Sequence, residues 1–144
     1  MLSRCRRDIG CKGQPDFNGN YLVAVDLKDW QPYYKDTAYL DTVSVTCVDG
    51  LNGYEIKKFP TYQFGNLQKE NKIFNGREYK PGDYVNGNYM PKKTGNNCIK
   101  WMKYENTGVG AVLWLRNDSI IYSQSTTTGR NTFFKTSFTG RKIN

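Results

Sequence analysis

The sequence predicts an all-β protein: a single antiparallel β-sandwich or barrel of roughly eight or nine short strands, with a basic N-terminal arm. Three observations carry that expectation. Apolar and polar residues alternate in short runs, the pattern of strands with one buried face. Turn dipeptides recur at Asp49-Gly50, Asn52-Gly53, Asn75-Gly76, Pro81-Gly82 and Asn86-Gly87, leaving no room for a long helix between Phe74 and Gly95. Strand-favouring aromatics are abundant, 11 Tyr, 7 Phe and 3 Trp, and they supply buried area that the lean 38% hydrophobic content would otherwise lack. At 144 residues the chain is expected to form one domain, residues 21–144, behind an arm of residues 1–20.

In the arm, Arg4, Arg6, Arg7 and Lys12 outnumber the acidic residues Asp8 and Asp16, and Gly10, Gly13, Pro15 and Gly19 break any periodicity. Such a segment is either solvated or docks on a neighbour or on nucleic acid. Tyr21–Leu27 then reads as a strand, with Tyr21, Val23, Val25 and Leu27 on one face and Leu22, Ala24 and Asp26 on the other. Pro32 places a loop over Asp29–Asp36, and a single helical turn is expected within Lys35–Asp41. Thr42–Val48 is a second alternating strand with Val43, Val45 and Cys47 inward; Cys47 reads there as a small packed hydrophobe.

Beyond the paired turns, Tyr54–Phe59 and Thr61–Phe64 read as strands separated at Pro60, which cannot donate to a ladder. Asn66–Asn71 is polar enough to suggest another helical turn. Cys98–Tyr104 is a strand that sends Lys100 and Lys103 to opposite faces and Ile99 and Trp101 to the core. The most apolar run, Ala111–Leu115, leads through Asn117-Asp-Ser119 into Ile120–Ser123, and Thr132–Phe138 pairs again past Thr128–Asn131. A five-residue apolar run of this kind suits a central strand buried on both faces, with Leu113 and Trp114 packed inside. Asn117-Asp-Ser119 also matches an N-glycosylation acceptor, but its first reading is turn chemistry.

Catalytic chemistry is narrowly bounded. Without histidine there is no Ser-His-Asp or Cys-His set, no imidazole acid or base and no His-ligated zinc. Asp26, Asp29, Glu55, Glu70 and Glu78 sit mostly at outward or turn positions, where a carboxylate is ordinarily a solvated charge. Cys5, Cys11, Cys47 and Cys98 lack the close pairs that zinc requires, although Cys5 and Cys11 could form a disulfide. Glycine-rich phosphate loops are absent. No enzymatic activity, metal or cofactor is expected.

The formal charge of +8 favours an acidic partner, and Arg130, Lys135, Arg141 and Lys142 follow the last acidic residue, Asp118. The candidate contact residues are Arg4, Arg6, Arg7, Lys12, Arg116, Arg130, Arg141 and Lys142. The leading expectation is a non-enzymatic structural or interaction module. It would be a small subunit of an assembly such as a phage or virus particle (a capsid decoration, connector or tail component), its partners other protein subunits in a homo- or hetero-oligomer. Basic residues interleaved with aromatics, as in Lys100-Trp101-Met-Lys103-Tyr104 and Phe133-Phe134-Lys135, raise the alternative of a β-barrel for single-stranded nucleic acid. A third reading takes Trp30, Tyr33 and Tyr34 as a sugar-stacking loop in a carbohydrate-binding module. No apolar stretch is long enough to span a bilayer, and the N-terminal sequence lacks the apolar core of a signal peptide. The expected location is intracellular, or within a particle assembled there.

Overall fold

The computed structural model describes residues 17–30, 34–48, 53–63, 66–74, 89–95, 98–105, 108–127 and 133–143. These build nine strands: β1 (Gly19–Trp30), β2 (Tyr34–Val48), β3 (Gly53–Gln63), β4 (Asn66–Phe74), β5 (Tyr89–Gly95), β6 (Cys98–Glu105), β7 (Gly108–Arg116), β8 (Ser119–Thr127) and β9 (Phe133–Lys142). All join one antiparallel sheet in the order β4-β3-β2-β1-β9-β8-β7-β6-β5. The sheet curls on itself as a half-barrel, so the side chains of its concave face form the core and those of its convex face meet solvent. The all-β expectation holds, with one curled sheet in place of two facing ones.

Alternation explains which side chains go inside. In β1, Tyr21, Val23, Val25 and Leu27 are buried while Leu22 and Ala24 are exposed. Register carries the inward set across the sheet: Val25 lies beside Phe138 of β9, Phe138 beside Tyr122 of β8, Tyr122 beside Leu113 of β7, and Leu113 beside Trp101 of β6. Val43 and Val45 of β2 are likewise buried. The concave face is then filled largely by aromatic edges. Phe59 meets Tyr122 edge-on with ring centroids 4.6 Å apart and Phe138 at 5.3 Å, while Phe74 contacts Trp101 at 5.7 Å and Tyr89 at 4.8 Å. The Phe74–Tyr89 contact joins side chains of β4 and β5, the two edge strands, across the interior. Edge-to-face geometry of this kind adds about 0.5–1.5 kcal/mol per pair to the burial itself.

At one end Phe17 closes the core. It is fully buried, stands edge-on to Tyr54 at 5.7 Å, and its carbonyl accepts a 2.8 Å hydrogen bond from the Tyr21 hydroxyl. Beside it, Asn18 Oδ1 accepts from the Cys47 amide at 2.6 Å, and the Asn20 and Ser44 side chains meet at 2.5 Å. Residues just before the expected strand start are therefore built into the fold.

Several local expectations are corrected. Lys35–Asp41 and Asn66–Asn71 are not helical turns; they lie within β2 and β4. Ladder hydrogen bonds to β1 and β3 outweigh the weak local preference of these polar stretches. Pro60 does not divide two strands. β3 runs through it, and the irregularity falls earlier, between Ile56 and Phe59, where Lys58 takes a left-handed φ of 62°. This bulge lets Ile56 and Phe59, three residues apart, both face inward. Trp114 is not inside: it is partly exposed on the convex face, while Leu113 and Leu115 are fully buried. Cys47 faces inward as expected but is disulfide-bonded, not a simple packed thiol. The proposed Cys5–Cys11 pair lies outside the described residues.

Candidate interaction surface

Trp114 owes its position to the parity of β7. Ala111, Leu113 and Leu115 point into the core, so Val112, Trp114 and Arg116 emerge on the convex face. Pairing places Lys100 of β6 directly across from Trp114 on one side and Ile121 of β8 on the other. The Lys100 ammonium stands 5.2 Å from the Trp114 ring centroid and the Arg116 guanidinium 5.0 Å from it. Two cations thus sit over one partly exposed indole, a contact worth roughly 0.5–1 kcal/mol for each exposed cation.

The next row of the same face brings a third cation nearby. Arg116 pairs with Ser119, Ser119 with Arg141, and Arg141 with Leu22. Two strand spacings separate the Arg116 and Arg141 backbones, about 10 Å. Both side chains are exposed, as are Leu22 and Leu40, the latter at 70%. The turn that positions Arg116 is the two-residue hairpin loop Asn117-Asp118, in which Asn117 adopts φ 48°, a conformation asparagine tolerates. It is held to β9 by the Lys142 amide, which donates to the Asp118 carbonyl at 2.7 Å.

Electrostatic balance across this face is uneven. Asp118 in the turn is the nearest carboxylate in sequence to Arg116. Further along the sheet, Asp26 of β1 has its pKa raised, first by a hydrogen bond with the Asp36 carboxyl, then by burial and by repulsion from Asp36; Lys28 and Lys135 act in the opposite sense. These two carboxyls engage each other, which reduces the negative charge they present together.

The structure therefore unites part of the expected set. Arg116 and Arg141 share the convex face with Trp114, and Lys100 joins Arg116 over its ring. Lys142 departs from them, its ammonium lying 5.9 Å from the Tyr21 ring centroid. Arg4, Arg6, Arg7, Lys12 and Arg130 lie outside the described residues. Trp101, one of the aromatics expected to alternate with lysines, is fully buried, and Phe134 is too. Among the sugar-loop residues, Tyr33 and the side chains of Trp30 and Tyr34 are likewise outside the described set. Compared with known protein families, with curated proteins and with solved structures, the chain matches none of them.

Proposed function

We propose that the protein is a non-enzymatic interaction module, a subunit of a larger assembly such as a phage or virus particle, and that it docks through the convex face around Trp114. The observation that carries this reading is the placement of Trp114 between Lys100 and Arg116 on the outside of the sheet. Tryptophan and arginine are the residue types that dominate binding energy at protein interfaces, because each combines large contact area with a directed polar group. Most of the described aromatic side chains pack into the core on the concave face, which makes the outward Trp114 an exception. A cationic face of this kind suits an acidic partner subunit.

The experiment is partner capture from the native source with wild-type protein and with Trp114→Ala/Arg116→Gln. A defined partner retained by the wild type and lost by the variant supports the reading. A protein that remains monomeric at high concentration and captures nothing overturns it.

One observation favours a second reading, single-stranded nucleic acid. Lys100 and Arg116 lie over the partly exposed indole and Arg141 is exposed on the same face, so the ring could stack on a base while the cations neutralise phosphates. Three phosphate contacts predict a log–log salt slope of roughly −2 for single strands. A fluorescence titration with single-stranded DNA and RNA at two salt concentrations tests it, and no micromolar binding at low salt would dismiss it. Among the described residues no helix is long and apolar enough to cross a membrane.

A further inference from the structure

We infer that the docking partner binds as an extended acidic segment lying across five strands, from Trp114 on β7 to Leu40 on β2, with an apolar side chain seated over Ala24 and Thr139. This rests on the convex-face docking reading and adds the partner's form and the rest of its footprint.

Register sets out that footprint. Trp114 pairs with Ile121, Ile121 with Thr139, Thr139 with Ala24 and Ala24 with Leu40, so one cross-strand row runs over β7, β8, β9, β1 and β2. Thr139, Ala24 and Leu40 are exposed, and Trp114 and Ile121 partly so. Four strand spacings make the row about 19 Å long. Its ends are bulky and its middle is low: the methyl of Ala24 and the short side chain of Thr139 lie between Ile121 and Leu40. Leu22, a diagonal neighbour of Leu40 on the adjacent row, is 45% exposed and Leu40 70%. Two aliphatic side chains left in water beside a low apolar floor form a continuous patch, the kind of surface that serves binding.

Charge fixes the chemistry of the occupant. Arg116 and Arg141 lie on the row that includes Leu22, one on each side of Ser119, and both are exposed. Among the described residues neither forms an ion pair, with Asp118 of the adjoining turn or with any other carboxylate. Neighbouring rows on one face are about 7 Å apart, within reach of arginine side chains, which grip carboxylates bidentately. The opposite flank carries Asp26, between Ser137 and Ala38, where a further carboxylate meets like charge. The acidic side of the segment is thereby directed toward the arginines. Curvature fixes its form. On a convex sheet a straight helix touches only the strands nearest its line of contact, whereas about six extended residues follow the bend from Trp114 to Leu40. A second copy of this chain fits poorly, since it would gather Lys100, Arg116 and Arg141 twice over in one interface between chains of net charge +8.

Fluorescence anisotropy with a labelled peptide of alternating aspartate and leucine, together with methyl NMR of the intact protein, tests the inference. Wild type should bind the peptide with sub-millimolar affinity that weakens as salt rises, and the methyl signals of Leu22, Ala24 and Leu40 should shift. Replacing the peptide's aspartates by lysine, or its leucines by serine, should weaken binding by at least about tenfold. Ala24→Phe, which fills the low floor, and Leu40→Ser should each weaken it by about tenfold, with NMR spectra reporting that both variants are folded. No binding by the wild type, or undiminished binding by both variants, overturns the inference, as does dimerisation of the wild type that Ala24→Phe blocks. Capture of the native partner that is lost in Trp114→Ala/Arg116→Gln but kept in Ala24→Phe and Leu40→Ser removes this footprint and leaves the docking reading standing. A wild type that captures no partner removes both.

Discussion

Lys69 of β4 reaches Asp41 of β2 at 2.7 Å, although β3 stands between those strands in the sheet. The bulge makes this contact possible. β2 pairs with β3 only over Ser44–Val48, and beyond Lys58 the β3–β4 hairpin leaves β2 and turns Phe59 into the hollow. Burial pushes the Asp41 carboxyl up. The Lys69 hydrogen bond, the Thr42 amide at 2.8 Å and the charges of Lys69 and Lys58 more than offset it, leaving the pKa below its ordinary 3.8. A carboxyl depressed on folding contributes stability that is fully present above its unfolded value and is lost as pH falls through its lower folded value. Wild-type Tm should therefore fall more steeply below pH 4 than that of Asp41→Asn, as read by circular dichroism melts across the acid range. Parallel curves for the two proteins would count against the pair. Because Lys69 is largely exposed, the effect should be small and should shrink in high salt.

Phe59 is the ring on which the hairpin hangs. It is fully buried and touches Phe74, Tyr122 and Phe138. Phe59→Ala should cost about 3–5 kcal/mol in urea unfolding, and Phe59→Leu considerably less. A loss below about 1 kcal/mol for the alanine would mean that the hairpin is not anchored there.

Gly140 is fixed by close approach. A Cβ at this position would lie 2.0 Å from the Leu22 carbonyl oxygen and 2.7 Å from Val23 Cγ1. Backbone has to move to admit even a methyl, so Gly140→Ala should destabilise by more than about 2 kcal/mol. Urea denaturation checks this directly, and neutrality would contradict the β1–β9 geometry.

Lys58, with φ 62°, holds a conformation that disfavours residues with a Cβ. Lys58→Gly should relieve that cost and change stability by no worse than zero, up to about +1 kcal/mol, whereas Lys58→Ile should lose at least as much. The two variants moving in the same direction by equal amounts would refute the strain argument.

Trp114 sits outside the core, so Trp114→Ala should cost no more than about 1–2 kcal/mol, the scale of its two cation–π contacts, while abolishing partner capture. Measured together, melts and capture separate recognition from packing: a large stability loss would assign Trp114 to packing after all.

Much of the scaffold was legible in the sequence where alternation was clean. Tyr21–Leu27 and Val43–Cys47 reveal their buried faces because every second residue is apolar, and Ile99 and Trp101 do so for the same reason. Ala111–Leu115 is misleading because both of its faces are apolar; only the pairing with Lys100 and Ile121 shows Trp114 to be outward. β4 escaped notice as a strand because an edge strand carries polar residues on both faces, here Gln68, Lys69, Glu70 and Asn71. The Phe74–Tyr89 contact between the two edge strands was beyond reach for another reason. Its members lie on strands that are distant in the sheet order and meet only through curvature, which no local pattern encodes.

Strand order has a consequence for how the chain folds. The first and last strands, β1 and β9, are neighbours at the centre of the sheet, and the Ile143 amide donating to the Asn20 carbonyl at 2.8 Å extends their pairing. The two edges come from mid-sequence. Connecting the end of β9 to the start of β1 and opening the chain between Phe74 and Tyr89 would give the order β5-β6-β7-β8-β9-β1-β2-β3-β4, an uninterrupted meander in which every strand pairs with its successor. In the natural connectivity, two meanders, β1–β4 and β5–β9, can each form from short loops, and one zipper of very high sequence separation must unite them. Closing that zipper is the slow step that contact order anticipates, and circular permutation removes it.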